Sequence, residues 1–128
     1  MVRELDDVFG QGGRRVVEVT IFVPSADRDG KLIRDQEEWS KRALDFLGDL
    51  YGGATTLGPV EGVWKNPKTE QLVHEKPFLV YTYVTEDDIH DERKLKHLRD
   101  FCVEMGTKTR QGEVALKIGE RLMFIETW

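Results

Sequence analysis

Hydrophobic and polar positions alternate in several short segments of the chain, the period-2 pattern of β-strands. In the segment 14–24, the odd positions from 17 to 23 are all apolar: Val17, Val19, Ile21 and Val23. Four further segments are predicted as strands: 54–64, 71–84, 112–119 and 120–128. In residues 78–84 both faces are apolar or aromatic, so we expect neither face of that strand to be fully exposed to solvent.

Two longer segments carry apolar residues at helical spacing instead. Asp35 with Glu38 is a capping-box pattern in front of the first segment, and Gly52 is typical of a helix end. Residues typical of a helix N-cap, from Thr85 to Asp88, precede the second segment, which ends at Gly106. The apolar stripes are Trp39, Ala43, Phe46, Leu47, Leu50 and Tyr51 in the first helix, and Leu95, Leu98, Cys102 and Met105 in the second.

The element order is strand, helix, strand, strand, helix, strand, with one more strand at the end. This order predicts an α+β fold of the ferredoxin-like βαββαβ type. We expect an antiparallel sheet, two helices on one face of it and an extra C-terminal strand. Residues 1–14, which are acidic and end in Gly-rich sequence, are predicted as a flexible N-terminal lead-in, and residues 15–128 as a single domain.

Composition and charge narrow the functional classes. Hydrophobic residues make up 39% and charged residues 34%, as in globular proteins, and the net charge is −5. An acidic protein repels phosphate backbones, so nucleic acid is an unfavourable partner. Cys102 is the only cysteine and no signal or membrane segment is apparent, which predicts a cytoplasmic protein without membrane contact.

Metal-binding patterns are not evident in the sequence. The segment DRDG at residues 27–30 lacks the first Asp and the final Glu of a calcium loop in its register, so it is interpreted as a turn. His90 and His97 are seven residues apart in or beside one helix, about 10 Å along its axis, which is too far for one metal ion. We therefore expect neither a metal nor a cofactor.

The segment GVWKNPKTEQLVHEKP at residues 62–77 is predicted as a hairpin with a turn at Asn-Pro. His74 and Glu75 are adjacent on a strand, so their side chains point to opposite faces. Trp64 and His74 are expected to be cross-strand neighbours if the turn centres near residue 69, most simply as a packing pair. An alternative hypothesis is a small enzyme with a pocket around His74, in which His74 is the general base, helped by Arg110 or Glu113.

The main functional hypothesis rests on the sheet face that the helices leave uncovered. Leu79, Tyr81 and Tyr83 share that face with Thr20 and Phe22, and a contiguous apolar patch is typical of an interface or ligand groove. We therefore expect a non-catalytic binding module that uses this face for homodimerisation, a protein partner or a small ligand. The candidate binding residues are Tyr81, Tyr83, Leu79, Phe22, Trp64, Arg110 and Gln111.

An RNA-binding module is a second alternative, because exposed aromatic residues on such sheets can stack with bases. Tyr81 and Tyr83 lie at suitable positions. The basic surroundings and the aromatic RNA-binding motif that this class requires are missing from the sequence, which disfavours it.

Several short patterns recur in one known group of proteins. They are Trp39 in the first helix, a Gly-Thr stretch of Gly53, Thr55 and Thr56 entering the second strand, Gly62 with Trp64, Glu75 on the third strand, and Gln111 with Val114. On these residues the chain resembles small bacterial ferredoxin-like domains of unknown function, from about Val16 to Ile125. The resemblance implies the same fold. It implies no activity, because that family has no settled one.

Overall fold

The computed structural model describes residues 2–10 and 12–128. Within them the elements are α1 (Val2–Phe9), β1 (Val16–Val23), α2 (Gln36–Tyr51), β2 (Thr55–Leu57), β3 (Gly62–Lys65), β4 (Leu72–Glu75), β5 (Phe78–Thr85), α3 (Glu86–Ile89), α4 (Glu92–Lys108), β6 (Glu113–Ile118) and β7 (Arg121–Glu126).

Five of the strands form one antiparallel sheet in the order β2-β5-β1-β6-β7. The remaining strands, β3 and β4, pair only with each other. The central strands β1 and β5 are paired along their whole length, from Val16 opposite Thr85 to Val23 opposite Phe78. The predicted C-terminal strand is β7, which lies at the edge of the sheet beside β6.

The core lies between one sheet face and the helices α2 and α4. It combines the inward residues of the strands with the apolar stripes of both helices: Val19, Ile21, Val80, Val84, Leu116, Trp39, Ala43, Leu47, Leu98 and Met105. Cys102 lies in this core, and burial raises the pKa of its thiol to about 12, which makes it unreactive. Antiparallel strands backed by helices confirm the α+β class.

The predicted strands 54–64 and 71–84 are each broken in two, which corrects the sequence-based boundaries. Pro59 and Pro77 lie at the breaks, and proline cannot donate to a strand ladder. At Gly58, where φ is 135°, an added Cβ would lie 3.0 Å from the Phe78 Cα. The segments beyond the breaks therefore leave the main sheet as the separate β3–β4 hairpin.

Helix ends follow the predicted pattern in part. Gly52 ends α2 in a left-handed conformation, as expected. Asp35 precedes α2 but makes no side-chain cap, because its carboxylate accepts a hydrogen bond from the Trp39 indole at 3.2 Å. The second predicted helix is divided into α3 and α4, and Asp91 caps the start of α4. The predicted end at Gly106 is wrong, because α4 continues to Lys108.

The N-terminal segment contains a helix that the sequence patterns did not predict. Helix α1 falls within the proposed 1–14 lead-in, and its Leu5, Val8 and Phe9 side chains are exposed. Met1 and Gln11 of that segment lie outside the described residues. The flexibility of the segment stays a prediction. In the described part of the chain, no helix is long and apolar enough to cross a membrane.

Candidate functional site

A cleft of about 280 Å³ lies between the β3–β4 hairpin and the loop that follows β1. Its lining residues include Ser25, Leu32, Glu61, His74, Glu75 and Lys76. We call it the Glu75 cleft. Its volume is close to the lower limit, about 300 Å³, of typical small-molecule sites. The hairpin that forms one wall exists because Pro59 and Pro77 break the two long strands.

Hydrogen bonds fix the backbone of the hairpin against the body of the protein. The Lys76 backbone N–H donates to the Ser25 Oγ at 3.0 Å, and the Gln36 Nε2 donates to the Lys76 carbonyl at 2.8 Å. Both bonds hold the residue that follows Glu75. The backbone immediately after Glu75 is therefore anchored by the loop after β1 on one side and by α2 on the other.

The opposite wall is a closed loop, as the turn interpretation of residues 27–30 predicted. The Asp27 carboxylate accepts backbone N–H bonds from Asp29 at 2.8 Å and from Lys31 at 3.0 Å. The hydrogen bond from Lys31 is the main cause that holds the pKa of Asp27 below its ordinary value. Gly30 completes the turn with a φ of 82°.

Glu75 is half-buried and shares its hairpin face with Trp64. Trp64 lies opposite Val73 in the register, two positions before Glu75 along β4, so the two side chains are diagonal neighbours on one face. Burial raises the pKa of the Glu75 carboxyl, and the neighbouring Trp64 side chain opposes this rise. A partly desolvated carboxylate beside an indole in a cleft is a candidate functional group.

His74 lies on the other face of the hairpin. The register pairs His74 with Val63, so the expectation that Trp64 and His74 are cross-strand neighbours is wrong by one residue. The His74 side chain is exposed and has no hydrogen bond or ion pair among the described residues. The predicted helpers do not join it. Within residues 2–10 and 12–128, no group of three or more His, Cys, Asp or Glu is arranged to hold a metal ion.

Arg110 and Gln111 lie in the turn between α4 and β6, where they brace the loop after β1. The Arg110 guanidinium forms an ion pair with Asp29 at 3.0 Å. The buried Gln111 side chain donates to the Ala26 carbonyl at 2.9 Å. Through these contacts both residues hold the loop after β1 in place, and this loop forms one wall of the Glu75 cleft.

The remaining predicted site residues lie on the second sheet face. Tyr81 is paired with Thr20, and Leu79 with Phe22, so these four side chains share the face that α2 and α4 do not cover. Tyr83 lies on the same face and is 56% exposed. Coverage of this face by a second copy or another protein stays a prediction.

A second cleft, of about 340 Å³, opens at the edge of this face. We call it the tyrosine cleft. Its lining residues include Tyr51, Gly52, Gly53, Thr55, Tyr81 and Tyr83. The sequence-predicted site residues are thus divided among three places: the tyrosine cleft with its adjoining sheet face, the hairpin, and the turn after α4.

Sequence reasoning did not select Glu75, although two signals for it were present. Glu75 belongs to the pattern shared with the resembling family, and the alternation of a strand separates it from His74. The alternation was used to reject a His74–Glu75 pair. The register of the hairpin determines which of the two side chains is partly buried. The sequence does not specify that register.

Comparison with solved structures finds the same fold in a phage enzyme. A phage SAM lyase in complex with S-methyl-5'-thioadenosine matches with a TM-score of 0.64 and 16% identity, over 92% of this chain and 95% of that chain. A phage SAM lyase in the apo state matches with a TM-score of 0.58 and 18% identity, over 86% and 88% of the two chains. No family model and no curated protein matches the chain. At these identities the likeness shows the fold alone.

These neighbours overturn the main functional hypothesis. The sequence was interpreted as a non-catalytic binding module because no catalytic constellation was visible in it. Both solved structures reported above are enzymes, which contradicts the interpretation as a non-catalytic module. The alternative of a small enzyme with a pocket around residue 74 agrees better with the comparisons and with the cleft.

Proposed function

We propose that this chain is a small enzyme that cleaves S-adenosylmethionine (SAM) and releases S-methyl-5'-thioadenosine. The observation that carries the proposal is the half-buried carboxylate of Glu75, which lines the Glu75 cleft and shares its hairpin face with the Trp64 indole. The fold likeness to a phage SAM lyase, which spans nearly the whole of both chains, supports it.

We also infer that the main sheet is a ferredoxin-like arrangement. Its first four strands in that reading are β1, β2, β5 and β6, and their spatial order β2-β5-β1-β6 supports the inference. Strand β7 is then the extra C-terminal strand, and the β3–β4 hairpin is an insertion at the junction of β2 and β5. A cytoplasmic location, predicted from the lone cysteine, is consistent with such a substrate.

The charge of the cleft suits the charge of the substrate. SAM carries a sulfonium, an ammonium and a carboxylate group, so its net charge is positive at neutral pH. The Glu75 cleft presents the carboxylates of Glu61 and Glu75 against one cation, Lys76. An indole attracts onium cations to its face, and a carboxylate partly removed from water attracts cations more strongly than one in bulk water.

The reaction that best fits this site needs no protein base. The substrate's own carboxylate oxygen attacks Cγ, the Cγ–S bond breaks, and its electron pair goes to sulfur. The products are the neutral thioether and a five-membered lactone that keeps the ammonium charge, so no proton or oxidant is required. Glu75 has no acid–base partner on its face of the hairpin, since His74 points away. We therefore assign Glu75 to holding the substrate ammonium and Trp64 to contacting the sulfonium.

The experiment is a product assay with matched variants of the hairpin. The purified chain is incubated with SAM, and S-methyl-5'-thioadenosine is quantified by liquid chromatography and mass spectrometry against a protein-free blank. Glu75→Gln keeps the shape but removes the charge, and we expect kcat/KM to fall about a hundredfold. Glu70→Gln makes the same charge change in the exposed turn of the hairpin, outside the cleft, and should change kcat/KM by less than about twofold. Product release at the blank rate, or equal losses in both variants, would contradict the proposal.

A further inference from the structure

The tyrosine cleft is separate from the Glu75 cleft. It lies beside Tyr81 and Tyr83 in the second half of β5, whereas Glu75 and Lys76 precede that strand. Six residues of extended chain separate Lys76 from Thr82, about 20 Å at the rise of a β-strand. The proposed cleavage of SAM uses none of the residues that line the tyrosine cleft.

The wall of the tyrosine cleft is an ordered aromatic pair. The Tyr81 and Tyr83 rings lie edge to face, with centroids 5.7 Å apart and an interplanar angle of 73°. Tyr81 is partly buried while Tyr83 is exposed, so the first ring supports the second. An exposed ring held in this way offers a flat surface for stacking by a planar heterocycle.

The floor of the cleft is bare backbone. Gly52 and Gly53 follow α2, and a Cβ added at either position would meet no atom within 4 Å. A ligand can therefore approach the peptide groups of this segment closely. Thr55, the cross-strand partner of Tyr81, adds a hydroxyl on the same face. The cleft thus combines an aromatic wall with neutral polar groups.

Charge restricts the class of ligand. Among the described residues that line the cleft, none carries a charged side chain. Tyr51 is partly buried, and its pKa is raised by burial and then by the carboxylates of Asp88 and Asp91. No cationic side chain of the described residues lines the cleft, and Lys94, whose Nζ lies 5.7 Å from the centre of the Tyr51 ring, is already ion-paired with Asp88, so a phosphate group is a poor fit.

We propose that the tyrosine cleft binds an uncharged nucleoside, with its base stacked on Tyr83 and its polar edge toward the Gly52–Gly53 backbone. The cleft volume of about 340 Å³ lies within the range of small-molecule sites, about 300–1,000 Å³. S-Methyl-5'-thioadenosine belongs to this class. Binding of S-methyl-5'-thioadenosine in the tyrosine cleft as a reaction product rests on the proposed function. Binding of an uncharged nucleoside there does not.

The test is a titration of the full-length, ¹⁵N-labelled chain with adenosine, followed by two-dimensional NMR. We expect saturable shifts at Tyr81, Tyr83 and Gly53. Tyr83→Ala should weaken binding about tenfold. Gly53→Leu should abolish it, because its side chain enters the open space and its backbone φ needs no glycine. Phe124→Ala, an exposed aromatic on β7, is the control and should leave the affinity unchanged.

A further variant and a further ligand distinguish the possible outcomes. Glu75→Gln should bind adenosine with the same affinity as the wild type. This result would show that the tyrosine cleft is a separate site, whether or not the chain cleaves SAM. Adenosine monophosphate should give no saturable shift at the same concentration. The proposal is overturned if wild type shows no saturable binding, if Gly53→Leu binds normally, if Glu75→Gln loses binding, or if the monophosphate binds as tightly.

Discussion

At the scale of single residues, the proposed activity depends on the protonation state of Glu75. Only the ionised carboxylate can pair with a substrate cation, and burial raises its pKa above the ordinary 4.5 of a glutamate. Lys76, held by Ser25 and Gln36, fixes the backbone beside it. The same desolvation that strengthens its attraction for a cation also makes its charge costly to keep.

The pH dependence of activity follows directly from this shift. As the pH falls through the raised pKa of Glu75, the carboxylate is protonated and cation binding is lost. We expect kcat/KM for SAM to decline on acidification at a pH above 4.5, before exposed glutamates titrate. A pH profile of product release measures this decline. A profile that stays flat down to pH 4.5 would show that the Glu75 charge is not used.

Stability should respond to Glu75 in the opposite direction. Because its pKa is raised in the folded state, its favourable contribution is complete below the unfolded value near 4.5 and is lost as the pH rises through the folded value. Glu75→Gln should therefore raise the melting temperature at pH 7, and this gain should shrink toward pH 4. Thermal melts of both proteins at the two pH values test it. A lower melting temperature at pH 7 would contradict desolvation as the main cause.

At the scale of elements, two glycines inside helices have opposite roles. Gly106 of α4 packs so closely that an added Cβ would lie 2.6 Å from a Val114 methyl and 2.7 Å from one in Thr127. Gly48 of α2 has no atom within 4 Å of that position. The first glycine allows α4 to approach β6 and the C-terminal segment, whereas the second only adds freedom to the unfolded chain.

Alanine substitutions should separate these two roles. Gly106→Ala should lower the free energy of unfolding by about 1–3 kcal/mol, because the extra methyl overpacks the core. Gly48→Ala should raise it by about 0.5–1 kcal/mol through helix propensity. Urea denaturation of both variants measures the difference. Equal effects of the same sign would contradict the packing described for α4.

Much of the fold could be predicted at this scale, while the site could not. The alternation in Val17–Val23 and the stripe from Trp39 to Tyr51 determine which side chains are buried, and the structure places them in the core as expected. The hairpin was not predicted as a separate unit, because each of its strands continues a strand of the main sheet in sequence. Pro59 and Pro77 mark the breaks, but the close approach of Gly58 to Phe78, residues that are distant in the chain, arises only in the folded structure.

At the scale of the whole molecule, the described residues form a packed framework that carries the Glu75 cleft and the tyrosine cleft. The sheet and helices α2 and α4 form the framework, and the β3–β4 hairpin and the loop after β1 add the Glu75 cleft outside it. The turn after α4 reinforces this arrangement, because Arg110 pairs with Asp29 and Gln111 with Ala26. In the proposed enzyme, the reaction takes place beside the β3–β4 hairpin, outside the main sheet and away from its aromatic face.

The most direct measurement is carbon NMR of SAM labelled with ¹³C on its methyl group, recorded over time with the purified chain. Cleavage converts the sulfonium methyl into a thioether methyl, so both species are visible in one sample. We predict that wild type transfers the signal to the thioether position well above the protein-free rate, and that Glu75→Gln leaves it at the sulfonium position. A wild-type signal that changes no faster than the blank would contradict the account.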